Sequence, residues 1–122
     1  MFKYLNRNPY GANIDDCVIR AISLALDLDY MQVFDDLCQI ADELGSEVDR
    51  SDVFIKYLKS KNWECYEPRF DMTVKKLTDL SDDPALIVVN GHMTFVKDGN
   101  TYDTWNPNRY KVKYLFLNDN DE

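Results

Sequence analysis

Apolar residues recur at helical spacing through the first half of the chain and at strand spacing through much of the second half. From Val18 onward, apolar side chains return every three or four positions, which predicts an amphipathic helix ending near Leu26 to Leu28. Asp29 can cap a second helix, and Gly45 is typical of a helix end. The apolar face of this second helix consists of Met31, Val33, Phe34, Leu37, Cys38, Ile40, Ala41 and Leu44.

Residues 49–80 predict two more helices separated by a short strand. A third helix begins at Asp49 or Ser51. Its apolar face consists of Val53, Phe54, Tyr57 and Leu58. Residues 63–67 alternate between apolar and polar side chains and predict an edge strand, whereas residues 73–80 predict a short helix. The inward positions of that short helix are Val74, Leu77 and Leu80.

Strand patterns dominate the rest of the chain. Residues 85–90 are a continuous apolar run, typical of a central strand covered on both faces, and residues 110–117 supply a last strand. Asp-Gly at positions 98–99 is a strong hairpin signal between two strand-like runs. Residues 118–122 are an acidic tail that we expect to fray. Residues 1–122 thus predict a single α+β domain of two layers, with N-terminal helices packed on a C-terminal antiparallel β-sheet.

The charge and hydropathy of the chain restrict its partners. A formal net charge of -8 argues against a nucleic-acid binder, because neutralising phosphates requires clustered Lys and Arg. The acidity suits a basic protein or peptide partner, although it also serves solubility. No apolar run approaches the ~20 residues that cross a membrane, and the first residues lack the apolar core of a signal peptide. We therefore expect a cytoplasmic protein without membrane association.

The three cysteines stand at wide, irregular spacing, which indicates reduced thiols and neither a disulfide framework nor a zinc site. We expect no metal and no cofactor. Cys38 lies on the apolar stripe of the second helix, and Cys65 shares a strand face with Trp63, so both are interpreted as structural. Cys17 differs from them because it follows a polar turn and starts a helix.

The position of Cys17 favours an activated thiol. Unpaired backbone N–H groups and the positive end of the helix dipole stabilise a thiolate there. Asp15 or Asp16 is a good N-cap, but the negative charge of both residues opposes a thiolate, so activation requires a base. The chain contains one histidine, His92, which opens a strand-like run. Taken alone, Cys17 or His92 is more often a packing residue, and only their combination suggests chemistry.

The predicted hairpin decides which polar side chain can orient His92. If residues 98–99 are a two-residue loop, His92 faces Trp105, and Asp103 lies one diagonal away on the same face. Asn106 points to the other face unless a bulge intervenes, so Asp103 is preferred. Trp105 then flanks the site and limits the access of water, although a tryptophan of the core is an equally good interpretation.

This order of cysteine, histidine and carboxylate resembles that of the papain-like cysteine peptidases. Asp-Asp-Cys at positions 15–17 is similar to the helix start of the bacteriocin-processing peptidases, and Asn-Pro at 106–107 resembles their Asp-Pro. Asp-Thr-Trp at 103–105 resembles the Asn-Ser-Trp of papain. Gly-His at 91–92, followed by a short hairpin, is similar to small papain-like proteins of phages and bacteria.

The resemblance implies a papain-like fold and a thiol-dependent hydrolase of peptide or isopeptide bonds. Cys17 would be the nucleophile, His92 the base, and Asp103 the residue that orients the base. Gly11 stands where this family has its oxyanion-hole glutamine, so the Cys17 backbone N–H and the Asn13 amide are expected to hold the oxyanion.

The same resemblance is compatible with two other functions. The missing glutamine and the small size favour an inactive papain-like binding module, a small acidic inhibitor or adaptor of phage origin. A thiol acyltransferase, similar to the transglutaminases, would employ the same three side chains. In each case the partner is a protein or peptide.

Overall fold

The computed structural model describes residues 1–10 and 16–118 of the chain. Within these residues, the helices are α1 (Cys17–Leu26), α2 (Tyr30–Leu44), α3 (Ser51–Ser60) and α4 (Val74–Leu80). The strands are β1 (Phe2–Tyr4), β2 (Trp63–Tyr66), β3 (Ala85–Val89), β4 (His92–Lys97), β5 (Asn100–Asp103) and β6 (Tyr114–Asn118). They form a six-stranded sheet in the order β1-β5-β4-β3-β6-β2, which confirms the α+β class.

The sheet is mixed, so the prediction of a purely antiparallel sheet is wrong at one edge. β1 pairs with β5 in parallel, whereas the other neighbouring strands are antiparallel. No strand was predicted at β1, because three residues are too few to show an alternating pattern. β2 lies at the opposite edge, as its sequence predicted. β6 begins only at Tyr114 and includes Asn118, which had been assigned to the tail.

The first three helices cover one face of the sheet. Their periodic apolar positions meet the sheet in one buried cluster. Its fully buried members include Ile22, Val33, Leu37, Val53, Leu58, Leu86 and Phe116. Because α1 packs directly against β4, the fold brings the helix that starts at Cys17 onto the strand that starts at His92.

The second face of the sheet is also covered, so the domain has three layers where the sequence predicted two. A second cluster consists of Val74, Ala85, Ile87, Val89, Val96, Val112 and Leu115. All five residues of β3 are buried, as the continuous apolar run predicted. The inward position assigned to Leu80 is wrong, since Leu80 is 57% exposed. Val74 and Thr78 form the buried side of α4, and Leu80 lies about 200° around the helix from Thr78.

The ends of the helices follow the sequence only in part. Gly45 ends α2 in a left-handed conformation, as predicted. Asp29 occupies the N-cap position of α2, but its side chain makes no capping hydrogen bond. α3 begins at Ser51, one of the two predicted starts, and Arg50 occupies its N-cap position.

The three cysteines are free thiols. Cys17 and Cys38 are partly buried, whereas Cys65 is exposed. Cys65 lies on the same strand as Trp63, but its exposure shows that it is not a core residue. α3 packs against β2 and buries Trp63, but this cover does not extend to Cys65 on the edge strand. None of the helices in the described parts of the chain combines the length and hydrophobicity needed to cross a bilayer.

Two tight turns set the register of the central hairpins. Asp98 and Gly99 both have positive φ, and Lys97 pairs with Asn100, so the two-residue loop predicted from Asp-Gly is confirmed. Gly91, with φ of 73°, turns the chain between β3 and β4 immediately before His92.

Gly91→Ala should lower the free energy of unfolding by about 1 kcal/mol, because an L side chain disfavours the left-handed conformation. A Cβ at this position would have no atom within 4 Å, so the cost comes from the backbone alone. Urea unfolding followed by circular dichroism measures the change. Gly91→Asn is the matched control. Its free energy of unfolding should fall less than that of Gly91→Ala, since asparagine tolerates positive φ. Equal losses in both variants would contradict the conformational explanation.

Candidate active site

Cys17 is the first residue of α1, as the sequence predicted. Its side chain is partly buried and lines the same cleft as His92. Asp16 occupies the N-cap position, but its side chain makes no capping hydrogen bond with the helix. The carboxylate next to the thiol is therefore not directed at the N–H groups of the first turn.

His92 and Asp103 form a buried pair at the ends of neighbouring strands. His92 opens β4 and Asp103 ends β5. The His92 Nε2 atom lies 2.7 Å from Asp103 Oδ2, and both side chains are more than nine-tenths buried. The pairing of Phe95 with Tyr102 continues the register set by the turn and places Asp103 within reach of the imidazole.

The thiol of Cys17 reaches the same imidazole. Since Nε2 bonds to Asp103, Nδ1 is the ring nitrogen that remains for another partner. The Cys17 side chain lies close enough to His92 to raise the pKa of the imidazole. Cys17, His92 and Asp103 thus converge from three separate elements, although they are far apart along the chain.

The surroundings of His92 raise the pKa of its imidazole. Burial lowers the pKa of His92, but the hydrogen bonds to Asp103 and Cys17 and the negative charges of these two residues outweigh it. The net result is a pKa raised from 6.5 to about 9. The raised pKa favours the protonated ring, whose positive charge can stabilise an anionic neighbour.

Asp103 is held through its backbone and through both carboxylate oxygens. β1 pairs Tyr4 with Asp103, and the Leu5 N–H donates to the Asp103 carbonyl at 2.9 Å. The backbone N–H of Thr104 donates to Oδ1 at 2.7 Å, leaving Oδ2 for His92. The unpredicted strand β1 thus supports the residue that orients the imidazole.

Asp16, predicted to flank the nucleophile, belongs to a buried polar network. Its carboxylate forms an ion pair with Arg20 and accepts hydrogen bonds from the Tyr30 hydroxyl at 2.7 Å and the Asn8 amide at 3.0 Å. Burial and the Asp16 carboxylate raise the pKa of Tyr30, which keeps this hydroxyl protonated as a donor. Because Arg20 compensates Asp16, the repulsion expected between Asp16 and a Cys17 thiolate is reduced.

Sequence reasoning missed Arg20, Tyr30 and Asn8. The separation of Asp16 and Arg20 by four residues was an available signal for an ion pair on one helix face. Tyr30 and Asn8 carry no local signal, because they approach Asp16 through the fold.

Trp105 flanks the imidazole, and Asn106 does not reach it. The ring centroids of Trp105 and His92 are 4.4 Å apart, and Trp105 is 39% exposed, so one of its sides faces solvent. The Asn106 side chain is directed back into its own turn, where Oδ1 accepts from the Asn108 N–H at 3.0 Å. Asn13, the predicted oxyanion ligand, lies outside the described residues.

Cys17 and His92 line a cleft of about 650 Å³, a size usual for ligand sites. Much of its lining is apolar and includes Val18, Phe34, Val48, Phe54, Met93 and Tyr114. The charged side chains Glu47, Asp49 and Lys113 also line it. Within residues 1–10 and 16–118, no group of three His, Cys, Asp or Glu side chains could hold a metal ion.

No family model matches this chain, and comparisons with curated proteins and with solved structures gave no significant match. The arrangement of Cys17, His92 and Asp103 is therefore the main indication of what the protein does.

Proposed function

We propose that the protein is a papain-like, thiol-dependent hydrolase of peptide or isopeptide bonds. The observation that carries this proposal is the hydrogen-bonded pair of Asp103 and His92, with Cys17 beside the imidazole in the same cleft. A cysteine nucleophile needs a base within hydrogen-bond reach and a third group that fixes the tautomer of that base. The helix-borne cysteine and sheet-borne histidine and carboxylate also support the papain-like architecture.

Acylation begins when the Cys17 sulfur attacks the carbonyl carbon of the scissile bond and forms a carbon–sulfur bond. Protonated His92 then gives its Nδ1 proton to the leaving amine as the carbon–nitrogen bond breaks. The products of this step are a thioester on Cys17 and a free amine. Asp103 accepts from Nε2 throughout, which leaves Nδ1 available for the proton transfer.

Deacylation returns the enzyme to its starting state. A water molecule gives a proton to His92 Nδ1 and attacks the thioester carbon, and the sulfur leaves as a thiolate. The acyl group departs as a carboxylic acid, and His92 again bears a proton beside the thiolate.

The developing oxyanion in both steps faces the start of α1. Cys17 is the first helical residue, so its backbone N–H belongs to the turn that has no intrahelical acceptor. The Asp16 carboxylate is turned toward Arg20 and Tyr30 and does not compete as a side-chain cap for these donors. This arrangement supports an oxyanion site at the Cys17 N–H.

The cleft favours acyl groups with a large apolar side chain, because apolar residues make up much of its lining. We expect the protein to hydrolyse internally quenched peptides that carry Leu, Phe or Tyr beside the scissile bond. A branched peptide with a lysine isopeptide bond tests the isopeptide alternative. Increase in fluorescence, followed by mass spectrometry of the products, identifies the bond that is cleaved.

Cys17→Ala should reduce this hydrolysis to the buffer blank, whereas Cys65→Ala should retain it, since Cys65 is exposed and lies outside the cleft lining. Hydrolysis that survives in Cys17→Ala would exclude Cys17 as the nucleophile. If the wild-type protein cleaves none of the peptides, peptide hydrolysis is overturned and the binding-module function takes its place.

A further inference from the structure

Arg20 connects the helix that carries the nucleophile to the strand that carries Asp103. It lies in the first turn of α1, three residues after Cys17, and its side chain is only 10% exposed. One guanidinium nitrogen, Nη1, forms the ion pair with Asp16. The other, Nη2, lies 3.9 Å from Asp103 Oδ1 and donates to the Thr104 hydroxyl at 3.4 Å.

The Asp16 carboxylate, which pairs with one arm of Arg20, is also held by two other side chains. Tyr30 at the start of α2 and Asn8 in the N-terminal segment both donate to Asp16 Oδ2, while Oδ1 faces Arg20. The guanidinium is planar and presents its nitrogens as a rigid fork, so fixing one arm also fixes the direction of the other. Arg20 therefore projects its second arm at Asp103 and Thr104 in a defined orientation.

We infer that Arg20 is a positioning residue, which sets the orientation of the Asp103 carboxylate and thereby holds His92 against Cys17. Asp103 has two oxygens, and only Oδ2 contacts His92. The Thr104 N–H and the Arg20 charge both lie on the Oδ1 side, which prevents the carboxylate from rotating away from the imidazole. The catalytic consequence rests on the proposed function, whereas the effect on His92 does not need a substrate.

The chain's single histidine makes the inference directly measurable, because the imidazole signals in a proton NMR titration all belong to His92. In Arg20→Gln we expect the pKa of His92 to fall by about one unit or more as Asp103 loses its orientation. Loss of a nearby cation would by itself raise the pKa of His92. A fall therefore reports displacement of Asp103, and an unchanged or raised pKa overturns the inference.

Arg20→Lys tests the fork geometry. A lysine retains the charge but has a single ammonium group, so it cannot bond Asp16 while also reaching Asp103 and Thr104. The pKa of His92 should lie between the wild-type and Arg20→Gln values. Full restoration by lysine would show that charge alone suffices and would overturn the role of the fork.

Arg20→Gln leaves Asp16 buried without its cation, which destabilises the fold. The double variant Asp16→Asn/Arg20→Gln removes both charges and should show the same fall in the pKa of His92. Arg7→Gln is the matched control, because Arg7 donates to Ser23 and Leu28 at the other end of α1. It should leave the titration of His92 unchanged.

If neither Arg20 variant folds while Arg7→Gln does, Arg20 is a structural residue and the positioning role is overturned. If the pKa of His92 falls in Arg20→Gln but the wild-type protein hydrolyses no peptide, the positioning role is supported and the hydrolase is rejected. If the wild-type protein hydrolyses peptides but the pKa of His92 is unaltered in Arg20→Gln, the hydrolase is supported and the positioning role is rejected.

Discussion

Iodoacetamide should alkylate Cys17 at pH 7 at least about tenfold faster in the wild-type protein than in His92→Gln, because a thiol of ordinary pKa is only about 3% ionised at this pH. The reagent reacts with thiolates, and protonated His92 stabilises a thiolate beside it. Glutamine retains a hydrogen-bond donor toward Asp103 but carries no charge, so the variant removes the ion pair with little change in volume. Peptide mass spectrometry after timed quenching gives the rate at each cysteine.

Cys38 and Cys65 are internal controls in the same experiment. Burial, followed by nearby carboxylates, raises the pKa of both thiols, so each has a small thiolate fraction at pH 7. Cys65 is exposed, and its slow reaction would therefore reflect chemistry and not access. If Cys17 reacts no faster than Cys65, or equally fast in His92→Gln, the wild-type protein lacks the proposed thiolate–imidazolium pair.

Asp103→Asn should lower the pKa of His92 from about 9 by roughly one to three units. Burial favours the neutral ring, and Asp103 is the main partner that reverses this preference through its hydrogen bond and its charge. Proton NMR titration of the single imidazole measures the shift. Asn106→Ala is the matched control and should leave the titration unaltered, because Asn106 bonds within its own turn. A similar pKa in wild type and Asp103→Asn would remove Asp103 from the proposed triad.

The same interaction makes stability depend on pH, most clearly in Cys17→Ala, where the neighbouring thiol no longer titrates. A raised pKa means that the folded state binds a proton more tightly than the unfolded chain does. The stabilisation by protonated His92 is fully present below pH 6.5, the pKa of this residue in the unfolded chain. It is lost as the pH rises through the pKa of His92 in the folded protein. Each unit of difference is worth about 1.4 kcal/mol. Urea unfolding should show this loss in Cys17→Ala and not in Cys17→Ala/Asp103→Asn.

Much of the fold was predictable because its elements have local signals. The helices show 3.6-residue periodicity, β3 is a continuous apolar run, and the Asp98-Gly99 turn fixes its own hairpin. β1 was missed because it is very short and pairs in parallel with a strand near the other end of the chain. The third layer was missed because its cover is small and consists of the seven-residue helix α4 together with the loop residues Met72 and Val112.

The candidate site, like the fold, was predictable from the sequence only where its residues have local signals. Cys17 and His92 are uncommon residue types that each begin an element, and hairpin parity singled out Asp103 from Asn106. The contact between Arg20 and Asp103 joins a helix to the far end of a hairpin, so neither periodicity nor spacing predicts it. Pairwise contacts of this kind exist only after the layers have packed.

The short edge strand β1 has a consequence for the conformational equilibrium of the protein. Phe2–Tyr4 contributes little to the buried clusters, so detaching this strand from β5 costs much less than opening the core. Detachment nevertheless frees the backbone of Asp103, which Tyr4 and Leu5 secure. Opening at this edge of the sheet would therefore loosen the support of Asp103 while α1 and β4, which carry Cys17 and His92, stay packed in the core.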